Sequence, residues 1–434
     1  MTPKVVRITL AVAVLTVLLV PAVSAAAEPA NAAPTFAKDV APIVQRSCQT
    51  CHRPGQMGPM SLLTYEEVRP YARAIKAKVS SREMPPWGVD RHLGIQEFKN
   101  DISLSDSEIA TIERWVDAGA PMGDPANLPA PRKFDDAWEW SARAFPSGTP
   151  DLVVTSPPYT AEANGQQAWV DLMTDTIELK EDRWVKSYQA RPSKEGARVI
   201  HHMVAYIVKP DGETDGYGLH YVPGKPATIY PEGAGFLLRA GSKINFTVHH
   251  DSVDEAVTDR PQIGVMFHPK GYEPPRKVVR LNWSSLGDLD LPAGETMIRN
   301  DGYALMKENF RLLSFLPHFH IRGQRACIEL IYPDTGEIEP LNCFDYDFYW
   351  QTVFQYDDDV QPLIPKGTIF HTIYYHDNST ASRINPDPRN WTGFGQRTTD
   401  EMAIAMGEVM QLSDEEFKQA RQERLKHMKE ASSR

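Results

Sequence analysis

Clustered basic residues, a second long apolar run and an ample supply of cysteine are what this 434-residue sequence lacks. Without a patch of Lys and Arg, a chain of formal charge −11 is not expected to bind nucleic acid or other polyanions, because neutralising phosphates takes concentrated cations. The one apolar run of note, Ile8 to Val20, follows Lys4 and Arg7 and precedes Pro21 and Val23-Ser24-Ala25, the layout of a cleaved secretory signal over residues 1–25. An uncleaved anchor is the competing reading, but the run is shorter than the roughly 20 residues needed to cross a bilayer. No later stretch is long enough, so no transmembrane segment is expected in the mature chain, which reads as periplasmic or secreted. Disulfides persist in such a compartment, so each of the four cysteines needs a reason to be there.

The length exceeds what a single core normally serves, and the composition changes along the chain. Residues 34–124 read as a small helical domain, with helical spacing in Thr64–Lys78 and Ser105–Ala118. Ser105 and Glu108 form a capping-box pair and Gly119 a stop signal. Residues 125–150, with Pro125, Pro129, Pro131, Pro146 and Pro150, read as a linker or wrapping segment. From Asp151 short runs of Val, Ile, Tyr and Phe punctuated by Pro, Gly, Asp and Asn indicate antiparallel β-sandwiches. Within them Cys327 and Cys343 flank a Pro-Asp-Thr-Gly turn at equal distances from Thr335, so a hairpin there sets them opposite each other and predicts a disulfide. Two buried free thiols are the alternative. Residues 413–434 read as a charged, solvated helical tail.

Ser47-Cys48-Gln49-Thr50-Cys51-His52 holds the C-x-x-C-H arrangement, in which two thiols add to haem vinyl groups and the adjacent imidazole ligates iron. A thioredoxin-like pair would need a βαβ setting that the sequence does not offer, and a zinc half-site lacks a second Cys/His pair nearby. Haem c attached through Cys48 and Cys51, with His52 axial, is therefore expected. Met57, Met60, Met84 and Met122 are candidates for the opposite axial position; Met84, in the stiff Met84-Pro85-Pro86-Trp87 segment, is the choice, since Met57 and Met60 lie too near His52 in sequence. The stretch from Ala41 to Pro125 resembles the haem c modules fused to exported bacterial oxidoreductases.

Among thirteen histidines, His201-His202, His249-His250 and His318-Phe319-His320 are paired. Residues i and i+2 share a strand face, so His318 and His320 can grip one metal ion. Adjacent histidines normally point apart, so joint ligation by His201 and His202 requires a bulge, a bend or a strand end. A hydrogen-bonded structural role is the alternative for each histidine alone, and the one assigned to His268, His371 and His376.

In the order of its motifs the region from about Asp151 to Met410 resembles the copper type II, ascorbate-dependent monooxygenases, the family of peptidylglycine α-hydroxylating and dopamine β-monooxygenases. The motifs are His201-His202-Met203, the strand-ending His249, His318-Phe319-His320 and Asp400-Glu401-Met402, with support from Asp345–Gln351, Asp377-Asn378-Ser379 and Asn385-Pro386. The resemblance implies a multidomain α plus all-β chain: a cytochrome c-like domain followed by two jelly-roll-like sandwiches, at 151–285 and 286–412. It implies two copper ions, one on His201, His202 and His249, with His250 able to replace His249, and a catalytic one on His318, His320 and Met402. Imidazole suits both copper oxidation states, and a thioether favours Cu(I). A structural methionine stripe through Met406 and Met410 is the competing reading of Met402. Where the peptide-amidating branch carries a substrate-binding Arg, Asn and Tyr, this chain has Leu316, Ile404 and Met406, which implies a small, less polar substrate.

The resulting expectation is an exported monooxygenase that hydroxylates a C–H bond with O₂, supplied with electrons by an external donor through the haem. The alternative is a non-catalytic haem c electron carrier with a copper-binding β domain.

Overall fold

The computed structural model describes residues 33–165, 168–214 and 218–432; the expected leader lies outside the described residues. The first elements are helical: Phe36–Val40, Ala41–Ser47, a broken helix over Tyr65–Val68, Arg69–Tyr71 and Ala72–Ser80, and Asp106–Asp117. The last begins on Ser105, whose hydroxyl accepts from Glu108 N–H while the Glu108 carboxylate returns to Ser105 N–H. Its end is marked by Gly119 at φ +87°, a conformation that costs an L side chain energy. Phe36, Val44, Val68, Ile112 and Trp115 make the small core of this part.

Between those helices the chain leaves them. Trp87, Val89, Ile95 and Phe98 pack into the core of the second sandwich, and Val89 and Phe98 form β-bridges to Phe344 and Tyr356. Arg325 clamps the strap by pairing with both Asp90 and Asp345. The helical part is therefore less self-contained than 34–124 suggested, because this apolar strap finds more area to bury on the sheet than among short helices. Residues 125–150 wrap rather than dangle: Phe145 is fully buried with Ala144 and Met266, and Arg191 lies over the Trp140 ring at 3.6 Å.

The rest is two β-sandwiches that share one sheet. A ten-stranded sheet runs from Leu152–Thr155 in the first half to Phe354–Gln355 in the second. Strands Ala234–Leu238 and Arg276–Ser285 join the halves by a short parallel pairing. At one end this sheet is faced by four strands, Ala168–Met173, Lys243–His250, Ile200–Val208 and Leu219–Tyr221; at the other, by Ile298–Leu305, Ile369–His376, Gly323–Tyr332 and Glu337–Asp345. Alternating residues of the facing sheets fill two cores, Met203, Phe246 and Val248 against Val185 and Val265, and Ile328, Phe370 and Tyr374 against Leu312, Phe315 and Val409. Each such side chain contributes about 1.5–3 kcal/mol when fully buried.

Cys327 and Cys343 are directly opposed in the hairpin and form the expected disulfide. The C-terminal helix Asp414–Ser432 starts on a Ser413–Glu416 capping pair. It is docked rather than wholly solvated: Phe417 packs on the first core, Ala420 is buried, and Glu416 pairs with Arg276. Among the described residues no helix is long and apolar enough to cross a membrane.

Candidate metal centres and the haem-attachment segment

His201, His202 and His249 converge. One ligand nitrogen from each lies within 4.8 Å of the others, and all three side chains are buried. The adjacency problem is solved by a bulge: Ile200 pairs with His250 and His202 with His249, so His201 is the extra residue that breaks the register and turns back toward its neighbour. His249 Nδ1 sits 3.2 Å from His202 Nε2. His250 faces the other way, its ring tilted against Tyr159 at 4.7 Å and 3.8 Å from the Asp259 carboxylate, so the structure brings His249 and not His250 to the cluster.

Burial pushes the pKa of all three imidazoles down, that of His202 well below normal and that of His249 to about 3; neighbouring imidazoles add to the shift at His202 and His249, while the Asp251 and Asp347 carboxylates oppose it at His201. They are neutral at physiological pH, the form that ligates metal. Trp169 stacks on His249 at 4.6 Å and sets its edge on His202, so the cluster is walled by aromatic rings.

The second group lies at the ends of two paired strands. His318 stands opposite Ile404 and Phe319 opposite Ala403, so the antiparallel ladder carries Met402 to the end of the strand beside His320. The rings of His318 and His320 are 5.6 Å apart. His318 Nδ1 is 2.8 Å from Gln351 Oε1, which leaves Nε2 as its ligating atom, and His320 Nδ1 is 3.2 Å from the Asp400 carbonyl. Glu401 binds the group together: its buried carboxylate accepts the backbone N–H groups of His320, Arg322 and Met402. Leu316, Ile404 and Met406, expected at a substrate site, do come together, packed with Val353 on the strand face that carries His318.

One residue not singled out from the sequence, and one segment that entered there only as support for the resemblance, belong beside these groups. His220, on the strand paired with Ile200–Val208, is buried, its pKa lowered to about 3, and both it and His202 feel the charge of His318. Its only sequence signal is a histidine in a short apolar strand. The segment Tyr346–Gln351 touches both groups. Tyr346 OH donates to the Phe319 carbonyl at 2.6 Å, Phe348 meets His249, Trp350 meets His201 with ring centroids 5.4 Å apart, and Gln351 holds His318. His268, His371 and His376, assigned structural roles, each have a partner: His268 Nε2 is 2.9 Å from the Ala234 carbonyl, His371 sits between Glu329 and Asp301, and His376 packs on Phe319.

In the C-x-x-C-H segment a turn after Ala41–Ser47 brings the His52 N–H to the Cys48 carbonyl, and His52 Nδ1 lies 3.3 Å from the Met60 carbonyl. That leaves Nε2 for iron, so the imidazole suits the axial role. Burial raises Cys48 to about 12 and Cys51 to about 11, the reverse of the acidic thiols of a dithiol redox pair. Met84 lines a cleft of about 500 Å³ with Val79, Trp87, Leu104, Ile109 and Trp350; His52 does not line it. The methionine whose backbone meets the imidazole is Met60, at eight residues' separation. The cleft volume lies in the range of cofactor sites.

No family model matches the chain, and no curated protein matches it. Among solved structures it is similar to the major capsid protein of bacteriophage PM2, at 9% identity and TM-score 0.24, over 61% of this chain and 99% of that one. A cowpea mosaic virus empty particle matches at 10% identity and TM-score 0.26, over 64% and 94%. An oxalate decarboxylase from Bacillus subtilis matches at 9% identity and TM-score 0.14, over 65% and 84%. Likenesses at these scores carry no argument.

Proposed function

We propose that the chain is an exported copper-dependent monooxygenase of the ascorbate-dependent type that hydroxylates a C–H bond of a small, weakly polar organic substrate, with electrons entering from an external donor through a covalently attached haem c. The observation that carries this reading is the convergence of three buried neutral imidazoles, made possible by a bulge at His201. Copper ions would supply electron storage on His201, His202 and His249 and O₂ reduction on His318, His320 and Met402, while haem on Cys48, Cys51 and His52 would supply one-electron delivery.

The residues themselves do the positioning. Gln351 selects the His318 tautomer, and Glu401 ties three backbone amides so that His320 and Met402 stay in register. Buried Leu316 and Met406 and half-buried Ile404 make the surroundings of His318 apolar, which supports a substrate without a carboxylate to anchor and keeps water from the reacting bond. Trp169 and Phe348 exclude solvent from the triad.

The test is metal content per haem in protein purified from an export-competent host, with O₂ uptake followed after reduction. Two copper ions per haem, one of them lost in a His318→Ala, Met402→Ala double variant, is the expected result. A wild-type protein that takes up no copper would overturn the proposal.

A further inference from the structure

The haem-attachment segment and the first histidine cluster are neighbours in space. Thr50, inside the C-x-x-C-H motif, lies against Gly224: a Cβ built there would sit 3.5 Å from its methyl group. Tyr221, which pairs with Met203 beside His202, feels the Cys51 thiol electrostatically. Cys51 and His201 line the same narrow cavity of about 40 Å³, closed by Trp87, Tyr349 and Trp350. Trp350 also lines the larger cleft that holds Met84. One indole therefore lines the cavity that Cys51 shares with His201 and meets the His201 ring, with centroids 5.4 Å apart.

We propose that Trp350 is the coupling residue through which an electron passes from the haem-attachment segment to the His201, His202, His249 cluster. The inference rests on the monooxygenase reading, since it takes copper to be the acceptor. One electron moves per event: the haem iron goes from ferrous to ferric and the copper from cupric to cuprous. No bond forms or breaks, no proton moves, and the indole is not itself oxidised. The physical case is packing. Electronic coupling falls steeply with through-space distance, and a dense aromatic body spanning the gap replaces void with contiguous atoms. Trp169, equally close to the cluster, stacks on His249 from another side and is absent from both cavities, so it does not offer this route.

The experiment uses the full-length chain carrying haem and copper. The haem is reduced anaerobically, cupric copper is bound, and haem reoxidation is followed by stopped-flow absorbance. Trp350→Leu is expected to slow it by about tenfold or more with copper per haem and the haem spectrum unchanged, while Trp350→Phe retains most of the rate. Reoxidation in Trp350→Leu as fast as in wild type, with both groups loaded, would overturn the route and leave the monooxygenase reading standing. A wild type without copper would sink that reading, and the route with it. A second measurement does not depend on the leucine variant folding. In wild-type protein labelled with 5-fluorotryptophan, the ¹⁹F resonance assigned by Trp350→Phe should broaden on adding cupric copper and shift between ferrous and ferric haem. A resonance indifferent to either would refute the placement.

Discussion

Removing the Cys327–Cys343 disulfide tests the link between the scaffold and both candidate sites. The two cysteines are 16 residues apart and directly opposed, and Glu337–Asp345 runs from Cys343 into the Tyr346–Gln351 segment that contacts both histidine groups. Closing a loop of this length in the unfolded chain removes about 10 cal/mol/K of entropy, which is about 3 kcal/mol at 25 °C. Cys343 is buried and its partner strand is central to the second core, so little packing is lost when both are changed to alanine beyond two sulfur atoms. A Cys327→Ala, Cys343→Ala variant is expected to lose about 3 kcal/mol in urea unfolding under non-oxidising handling. Wild type unfolded in the presence of a thiol reductant should fall to nearly the same midpoint. Equal midpoints for oxidised wild type, reduced wild type and the variant would refute the argument, because the entropy term depends only on the bond and the loop it closes.

His249→Ala should abolish copper uptake at the first cluster, whereas His250→Ala should keep it and lose stability by leaving the buried Asp259 carboxylate without its imidazole neighbour; metal analysis with urea titration separates them. Glu401→Gln leaves one of three backbone N–H groups facing an amide NH₂, and an orphaned buried donor costs about 1–3 kcal/mol. That loss is best read above about pH 8, where the wild-type carboxyl, lifted by burial to about 7, is ionised and accepts all three; it should shrink toward pH 6, where the wild-type group is mostly protonated. Asp90 is held below the usual carboxylate range by the His92 backbone N–H and by Arg325. Its folded pKa is depressed, so its contribution is present above the ordinary aspartate value and is lost as pH falls through the lowered one. The strap over Trp87–Phe98 should therefore loosen in acid, and Asp90→Asn should remove that part of the acid sensitivity, measured by proteolysis of the strap.

Several features were legible in order of residues because their causes are local. A capping pair at Ser105 and Glu108, a glycine stop at Gly119 and two cysteines symmetric about a turn depend on residues a few positions apart, and all three appear where expected. The β character after Asp151 was equally readable from the alternation and punctuation of short apolar runs. The i, i+2 histidines at 318 and 320 share a face because the strand period is fixed.

What the linear order left open involves partners from distant segments. Whether His249 or His250 joins the first cluster depends on the register between Ile200–Val208 and Lys243–His250, and the bulge at His201 sets that register. His220 gave no signal because its relevance comes only from the neighbours that a folded sheet supplies. The same holds for the strap of Trp87–Phe98, which reads as part of a helical domain until a larger sheet offers it more area to bury. Met84 was chosen for an axial role on its stiff setting; what the fold adds is that His52 Nδ1 meets the Met60 carbonyl and that Met84 lines a cleft with Trp87 and Trp350. The sequence by itself determined which residue types are candidates for ligation, the element periods and the cross-link. Only the tertiary structure decided which of those ligands meet, because long-range register and burial follow from the summed packing of two sandwiches rather than from any short stretch of chain.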